Sequence, residues 1–350
     1  MTGSSGLRIR DVDPSDRAAF APFHRIYAES MRHGPAGEFS TVWQLDEVMA
    51  AMADPDVRTF RVGWIGWDDD PEGGERPVAT GWMSGSTVDN TDLAEVLVCC
   101  PPAERGRGFA AEMLGHVEAQ ARVRGRSRVV GEVVWPYADG ADGTGSSDLA
   151  WARRQGFELG LLDVQRRLSV PVPTDRLDAL AAEAAGHHEG YELRSFTGPV
   201  PDDLVEGWAA LSASLMTEAP MGEIHREAET ADVAAIRAEE SLMERQGRVR
   251  LGTAVRSPDG KLVAYTDLVL TTHESERAYQ WGTLVRPDHR GHRLGLAVKV
   301  ANVRALQESQ PQISTVVTFN ADVNAPMVAV NERLGFEPVQ WMGELQKTLG

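Results

Sequence analysis

Residues 102–110 read PAERGRGFA and residues 287–295 read PDHRGHRLG, so a Pro-x-x-Arg-Gly core recurs 185 positions along the chain. Two further landmarks recur in the same order at nearly that spacing. Leu7-Arg8-Ile9-Arg10 has the alternation of a first strand, and so does Tyr191-Glu192-Leu193-Arg194. Gly156-Phe157-Glu158 is answered by Gly335-Phe336-Glu337. Three matches in the same order mean that the chain is written twice, and a repeat of this length decides the architecture before any single element does. A chain of 350 residues, at about 150 residues per domain, also predicts two domains.

Working outward from the two turns, each half reads as a strand, helical segments, a hairpin, a further strand, the Arg-Gly turn, a long helix and another strand. The predicted strands of the first half are 7–12, 59–67, 78–88, 94–100 and 129–135, with helices within 14–53 and over 108–124. Those of the second are 191–196, 249–255, 262–270, 278–285 and 313–319, with helices within 204–246 and over 293–309. The acidic, glycine- and proline-rich stretch 68–74 is a hairpin tip between two apolar runs. Pro171 and Pro173 break the last strand of the first half, Thr174 is placed to cap an alanine-rich helix ending near Ala185, and Gly186 and Gly190 close it. The expected division is a domain over 7–170, a helical linker over 171–189 and a domain over 190–350, in an α/β (α+β) class with mixed sheets.

Composition narrows the function. Apolar residues make up 42% and charged residues 25%, which excludes collagen-like, coiled-coil and largely disordered chains. The net charge of −17 would repel a phosphate backbone and attract a cationic amine, so no nucleic-acid partner is expected. The two cysteines are adjacent, Cys99 and Cys100, which excludes a disulfide framework and a cysteine zinc site. There is no 18-residue apolar run and the first six residues have no signal-peptide character, so the expectation is a cytoplasmic protein without a membrane or metal.

The turns carry the chemistry. Glycines let backbone amides approach a ligand, a helix N-terminus carries about half a positive charge, and arginines add more. Arg105, Gly106, Arg107, Gly108, Phe109 and Ala110 therefore make an anion cradle, and Arg290, Gly291, His292, Arg293, Leu294 and Gly295 make a second. A single Gly-rich turn would read equally as a tight turn with solvated arginines; its recurrence between a strand and a helix favours the cradle. The spacing is neither that of a P-loop nor that of a dinucleotide fingerprint.

These residues resemble the GCN5-related N-acetyltransferase (GNAT) family, whose Gln/Arg-x-x-Gly-x-Gly/Ala motif is met by Arg105-x-x-Gly108-x-Ala110. The second copy meets it except that Arg293 stands at the middle glycine, where it is expected to reach the phosphates as an extra cation. The layout is similar to tandem GNAT proteins of the mycothiol synthase type. The resemblance implies two GNAT domains, each a mostly antiparallel twisted sheet with a splayed central strand pair flanked by helices. It implies acetyl-CoA as donor, held by the turn amides and by backbone groups of Val98, Cys99 and Cys100 and of Thr283, Leu284 and Val285, with Asn324 supporting coenzyme A.

Transfer to an amine needs a base and a group near the thioester. Glu95 and its counterpart Gln280 sit seven residues before the proline of each turn. Glu132 and Asp267 are weaker candidates for the base. Asn331 stands where the family typically has a tyrosine acid, and Gly145 and Ala152 offer no polar group at the matching offsets of the first half. By the same resemblance the C-terminal half is the expected site of transfer, with Glu95 arguing for the other. Glu218, Glu223 and His225 are the candidates for meeting a small-molecule amine acceptor, unless residues 214–226 are simply a helix–loop–helix with Met216 and Met221 in its core. The corresponding first-half segment, 33–43, is rich in glycine and expected to be mobile. The resulting expectation is an N-acetyltransferase, monomeric or homodimeric. The alternative is an acyl-CoA-binding regulatory or sequestering protein with one or both halves inactive.

Overall fold

The computed structural model describes residues 6–34 and 37–350. The elements in chain order are β1 (Arg8–Asp11), α1 (Arg17–Arg32), α2 (Leu45–Met52), β2 (Thr59–Asp69), β3 (Glu75–Ser86), β4 (Leu93–Cys99), α3 (Phe109–Val123), β5 (Arg128–Pro136), α4 (Ser147–Arg154) and β6 (Glu158–Ser169). They continue with α5 (Thr174–Ala185), β7 (Glu192–Thr197), α6 (Val205–Glu218), α7 (Val233–Arg245), β8 (Arg248–Arg256), β9 (Leu262–Thr271), β10 (Glu274–Val285), α8 (Leu294–Ser309), β11 (Thr315–Ala321), α9 (Ala325–Leu334) and β12 (Glu337–Thr348). The predicted strands and helices are all present. The sequence reading had not singled out α4 and α9, which precede each Gly-Phe-Glu. Gly156 and Gly335 adopt φ of 87° and 101° as these helices end, which is why a glycine recurs there.

The chain forms two compact units, and their bounds differ from those read along the sequence. One comprises residues up to 162 together with 340–350; the other comprises 163–339. The first has strand order β1-β2-β3-β4-β5-β12, and the second β6-β11-β10-β9-β8-β7. Thus the last strand of each half is exchanged. Trp341 to Thr348 pair antiparallel with Trp135 to Arg128 of β5, while Asp163 to Ser169 pair antiparallel with Ala321 to Thr315 of β11. The expected division at 170 and 190 assigned those strands by chain order. A duplicated fold offers the same edge twice, so either final strand can complete either sheet.

The segment expected to be a linker belongs to the second unit's core. Leu177, Leu180 and Ala184 of α5 are buried with Val300, Val303 and Leu306 of α8. Thr174 is the first helical residue rather than the cap, a position taken by Pro173, which donates no N–H and sets φ at −54°. In the first unit α1 is capped by Asp16, whose carboxylate accepts from Ala18 N and Ala19 N, and Phe20, Phe23 and Ile26 bury its apolar face with Ile65 and Cys99 of the sheet. Pro35, in the loop expected to be mobile, lies outside the described residues.

Candidate active site

In the first unit β4 and β5 run parallel but pair only at Leu93–Arg128, Ala94–Val129 and Glu95–Val130. Beyond Glu95 the strands part. The opening is a cavity of about 650 Å³ lined by β4 residues 96–100, β5 residues 131–136, the turn at Arg105, Gly106 and Gly108, the start of α3 and the face of α4 that carries Trp151 and Ala152. Gly106 and Gly108 have φ of 78° and 95°, and a Cβ at either would meet nothing within 4 Å, so the turn presents bare backbone to open space. The first N–H groups of α3 have no acceptor within the helix and project from the same turn. A cradle of this shape and polarity fits a diphosphate, and the parted strands beneath it fit an extended arm.

The turn's charge is balanced locally. Arg107 pairs with Glu104 at 2.6 Å and Asp68 at 3.1 Å and lies over the Phe109 ring, while Arg105 makes a long, exposed contact with Asp148 at 3.4 Å. Arg76 holds the Glu104 carboxyl below its usual range by hydrogen bonding. Burial pushes the Cys99 thiol up to about 12 and Cys100 to about 11, so both stay protonated packing groups rather than nucleophiles.

Glu95 is exposed at the point where β4 and β5 diverge, and its carboxylate accepts from Ser84 Oγ at 3.3 Å. Its counterpart by spacing has a different orientation. In the second unit the β9–β10 register shifts between Gln280 and Thr283, an irregularity that the β3–β4 ladder does not share. Gln280 is buried, and its amide donates to Thr266 Oγ1 and to the Asp267 carbonyl, on the face covered by α8. Glu95 pairs with Ser84 on the face of Trp82, which packs against α1. Equal sequence offsets therefore place these two residues on opposite faces.

In the second unit β10 and β11 also pair over only four positions, from Arg277–Thr315 to Gln280–Thr318. The turn that follows is braced by its own unit. Arg290 pairs with Glu218 at 2.9 Å, and Arg293 pairs with Glu183 of α5, which also binds Arg333. Tyr191 hydrogen bonds His289 at 2.9 Å, and His292 Nδ1 lies 3.0 Å from the His187 carbonyl oxygen. Arg293, expected as an extra cation for phosphate, adopts φ of 52° and spends its charge on a carboxylate. Glu218, expected to meet the acceptor, is instead the partner of Arg290. Glu223 and His225 are exposed in the irregular segment after α6. Asn324 caps α9 by accepting from Met327 N, and Asn331 is fully buried.

Sequence reasoning missed two features. Trp135 and Trp151 line the first cavity, with Trp135 fixed by donating to the Gly140 carbonyl. Lys299 is buried at 1% exposure in α8, and its signal was visible, because it is one of three lysines in the chain and interrupts an apolar run. A third buried set surrounds Arg250, which meets Asp267, Glu239 and Glu240; burial pushes the Asp267 carboxyl up to about 6.

No helix among the described residues is long and apolar enough to cross a membrane, and no group of three or more His, Cys, Asp or Glu side chains among them could hold a metal. No family model matches the sequence, and no curated protein matches it. Solved structures do. A tandem GNAT protein from the clavulanic acid biosynthesis pathway superposes with a TM-score of 0.79 at 23% identity, covering 98% of this chain and 99% of that one. A GCN5-related N-acetyltransferase from Sphaerobacter thermophilus gives 0.65 at 14% identity, over 99% and 97% of the chains. Saccharomyces cerevisiae N-myristoyltransferase with bound myristoyl-CoA gives 0.61 at 9%, over 99% and 84%. The duplicated turns, the parted strand pairs and these superpositions together establish that the chain has the tandem GNAT fold.

Proposed function

We propose that the protein transfers an acetyl group from acetyl-CoA to the primary amine of a small molecule in the cytoplasm, and that the N-terminal turn and groove hold the donor. The observation that carries this reading is the cavity of about 650 Å³ between β4 and β5, opening beneath a glycine turn at a helix N-terminus. The superposition with N-myristoyltransferase holding bound myristoyl-CoA supports a donor of the acyl-CoA class.

When bound, the donor supplies a thioester whose carbonyl is open to attack by a neutral amine. Arg105, Gly106, Gly108 and the amides of Phe109 and Ala110 would hold its diphosphate, since amide donors and a helix terminus suit a dianion better than water does at close range. The backbone of Val98, Cys99 and Cys100, with no partner on β5, would hold the arm in the manner of an added strand. Glu95, on the α1 face at the point of divergence, would accept the proton that the amine must lose, directly or through water. The net charge of −17 favours encounter with a cationic acceptor.

The test is thiol release from acetyl-CoA over a panel of small amines, with Gly108→Trp as the disabling variant. An indole at a position facing open space in the cradle should exclude the diphosphate and lower release at least about 100-fold, comparable to losing an oxyanion donor. A thermal melt checks that this variant folds. Wild-type binding of acetyl-CoA without thiol release from any amine would favour a sequestering role instead.

A further inference from the structure

The groove of the first unit has a counterpart in the second, and two helix positions that border it can be matched between the copies. Leu114 of α3 corresponds to Lys299 at the repeat spacing, and Ala152, four residues before the glycine of Gly-Phe-Glu, corresponds to Asn331. Asn320 lies two residues past Thr318, the strand partner of Gln280, and so shares its α8 face. In the first unit both helix positions, Leu114 and Ala152, border the cavity. In the second they are bonded to one another. Lys299 Nζ donates to Asn331 Oδ1 at 2.5 Å, Asn331 Nδ2 donates to Asn320 Oδ1 at 3.0 Å, and Arg166 of β6 donates to the same Asn320 oxygen at 3.0 Å. Lys299 also lies 5.2 Å from the centre of the Phe336 ring. All four polar side chains are buried, Asn331 completely.

We infer that the C-terminal copy accepts no acyl-CoA, because the Lys299–Asn331–Asn320–Arg166 chain occupies the slot that is open in the N-terminal copy; the protein binds one equivalent of donor per chain. This rests on the acyl-CoA reading above and sharpens it to one half. Three further facts point the same way. Leu334 and Phe336, at the end of α9 and just beyond, share a buried cluster with Ala297 and Val300 of α8, which closes the helix pair that borders the slot. Arg293, at the position of Gly108, puts a side chain tied to Glu183 of α5 where the first turn has bare backbone. Admitting an arm would also strip hydrogen bonds from buried amides and an amine that no water can replace.

Titration of the wild-type chain with coenzyme A by calorimetry should give a stoichiometry of one. Hydrogen exchange with and without coenzyme A should show added protection at residues 105–112 and none at 290–297. Leu114→Lys, which carries the closing residue into the open groove, should weaken binding at least tenfold. A stoichiometry of two, protection at 290–297, or full-affinity binding in Leu114→Lys would overturn the inference while leaving the acyl-CoA reading intact. No binding at all would sink that reading, and the inference with it. The exchange experiment uses only the native protein, so it decides the matter even if the variant folds poorly.

Discussion

The two Arg-Gly turns share a Pro-x-x-Arg-Gly core and differ in what their surroundings do with it. At the N-terminal turn the cap residue is Gly108, the cradle faces open space, and the strands below part around a cavity. At the C-terminal turn the cap is Arg293 in the same left-handed region, its side chain is bound to Glu183, and a lysine amine fills the space between helix and sheet. The comparison teaches that the same motif can head an open slot or a filled one. Residues outside the motif decide which of the two it heads.

Exchanging residues between the copies is the direct way to break or sharpen this contrast. The largest effect is expected from Glu95→Gln, which gives the first copy the residue of the second. Loss of a general base costs about 100-fold or more, and thiol release should fall by that order while coenzyme A affinity holds. An unchanged rate would remove Glu95 from the chemistry.

Next comes Lys299→Leu, read through its pH dependence. Burial pushes the lysine amine from 10.5 down to about 7. Below pH 7 the amine is protonated in both folded and unfolded chains, and the folded state bears the full cost of a buried charge. Between about 7 and 10.5 the unfolded chain holds the proton and the folded chain does not, so stability from this group rises with pH, by up to a few kcal/mol. Replacing it with leucine should flatten the rise, making the variant's relative stability greatest near pH 6 and least near pH 10. Parallel denaturation profiles for variant and wild type across that range would contradict it.

The smallest effect is expected from Arg293→Gly. Leaving the left-handed region to glycine relieves about 1 kcal/mol of strain, while the half-exposed pair with Glu183 is worth about 0–1 kcal/mol. Chemical denaturation should place the variant within about 1 kcal/mol of wild type. A loss above about 2 kcal/mol would show that the Arg293–Glu183–Arg333 link holds the second turn together.

Much of this was legible in the chain itself. The strands, the turn-opening helices and the glycines at 106, 108, 156 and 335 could be read because each depends on neighbours within a few residues, through alternation, capping and positive φ. Several contacts were not. The pairing of Glu218 with Arg290 joins residues 72 positions apart, and the opposite facing of Glu95 and Gln280 comes from a strand irregularity that leaves no mark in composition. Lys299 was visible as an oddity, but its partner Asn331, 32 residues away, is met only when α9 folds against α8.

The sequence by itself determined that there are two copies, that each places a glycine- and arginine-bearing turn between a strand and a helix, and which half kept the regular motif. Only the tertiary structure decided that β6 and β12 are exchanged, because two near-identical sheet edges are locally indistinguishable and the choice rests on long-range pairing. It alone also decided that one slot stands open and the other is filled by its own side chains. A cavity is a property of the space between distant segments, and no short stretch of chain encodes it.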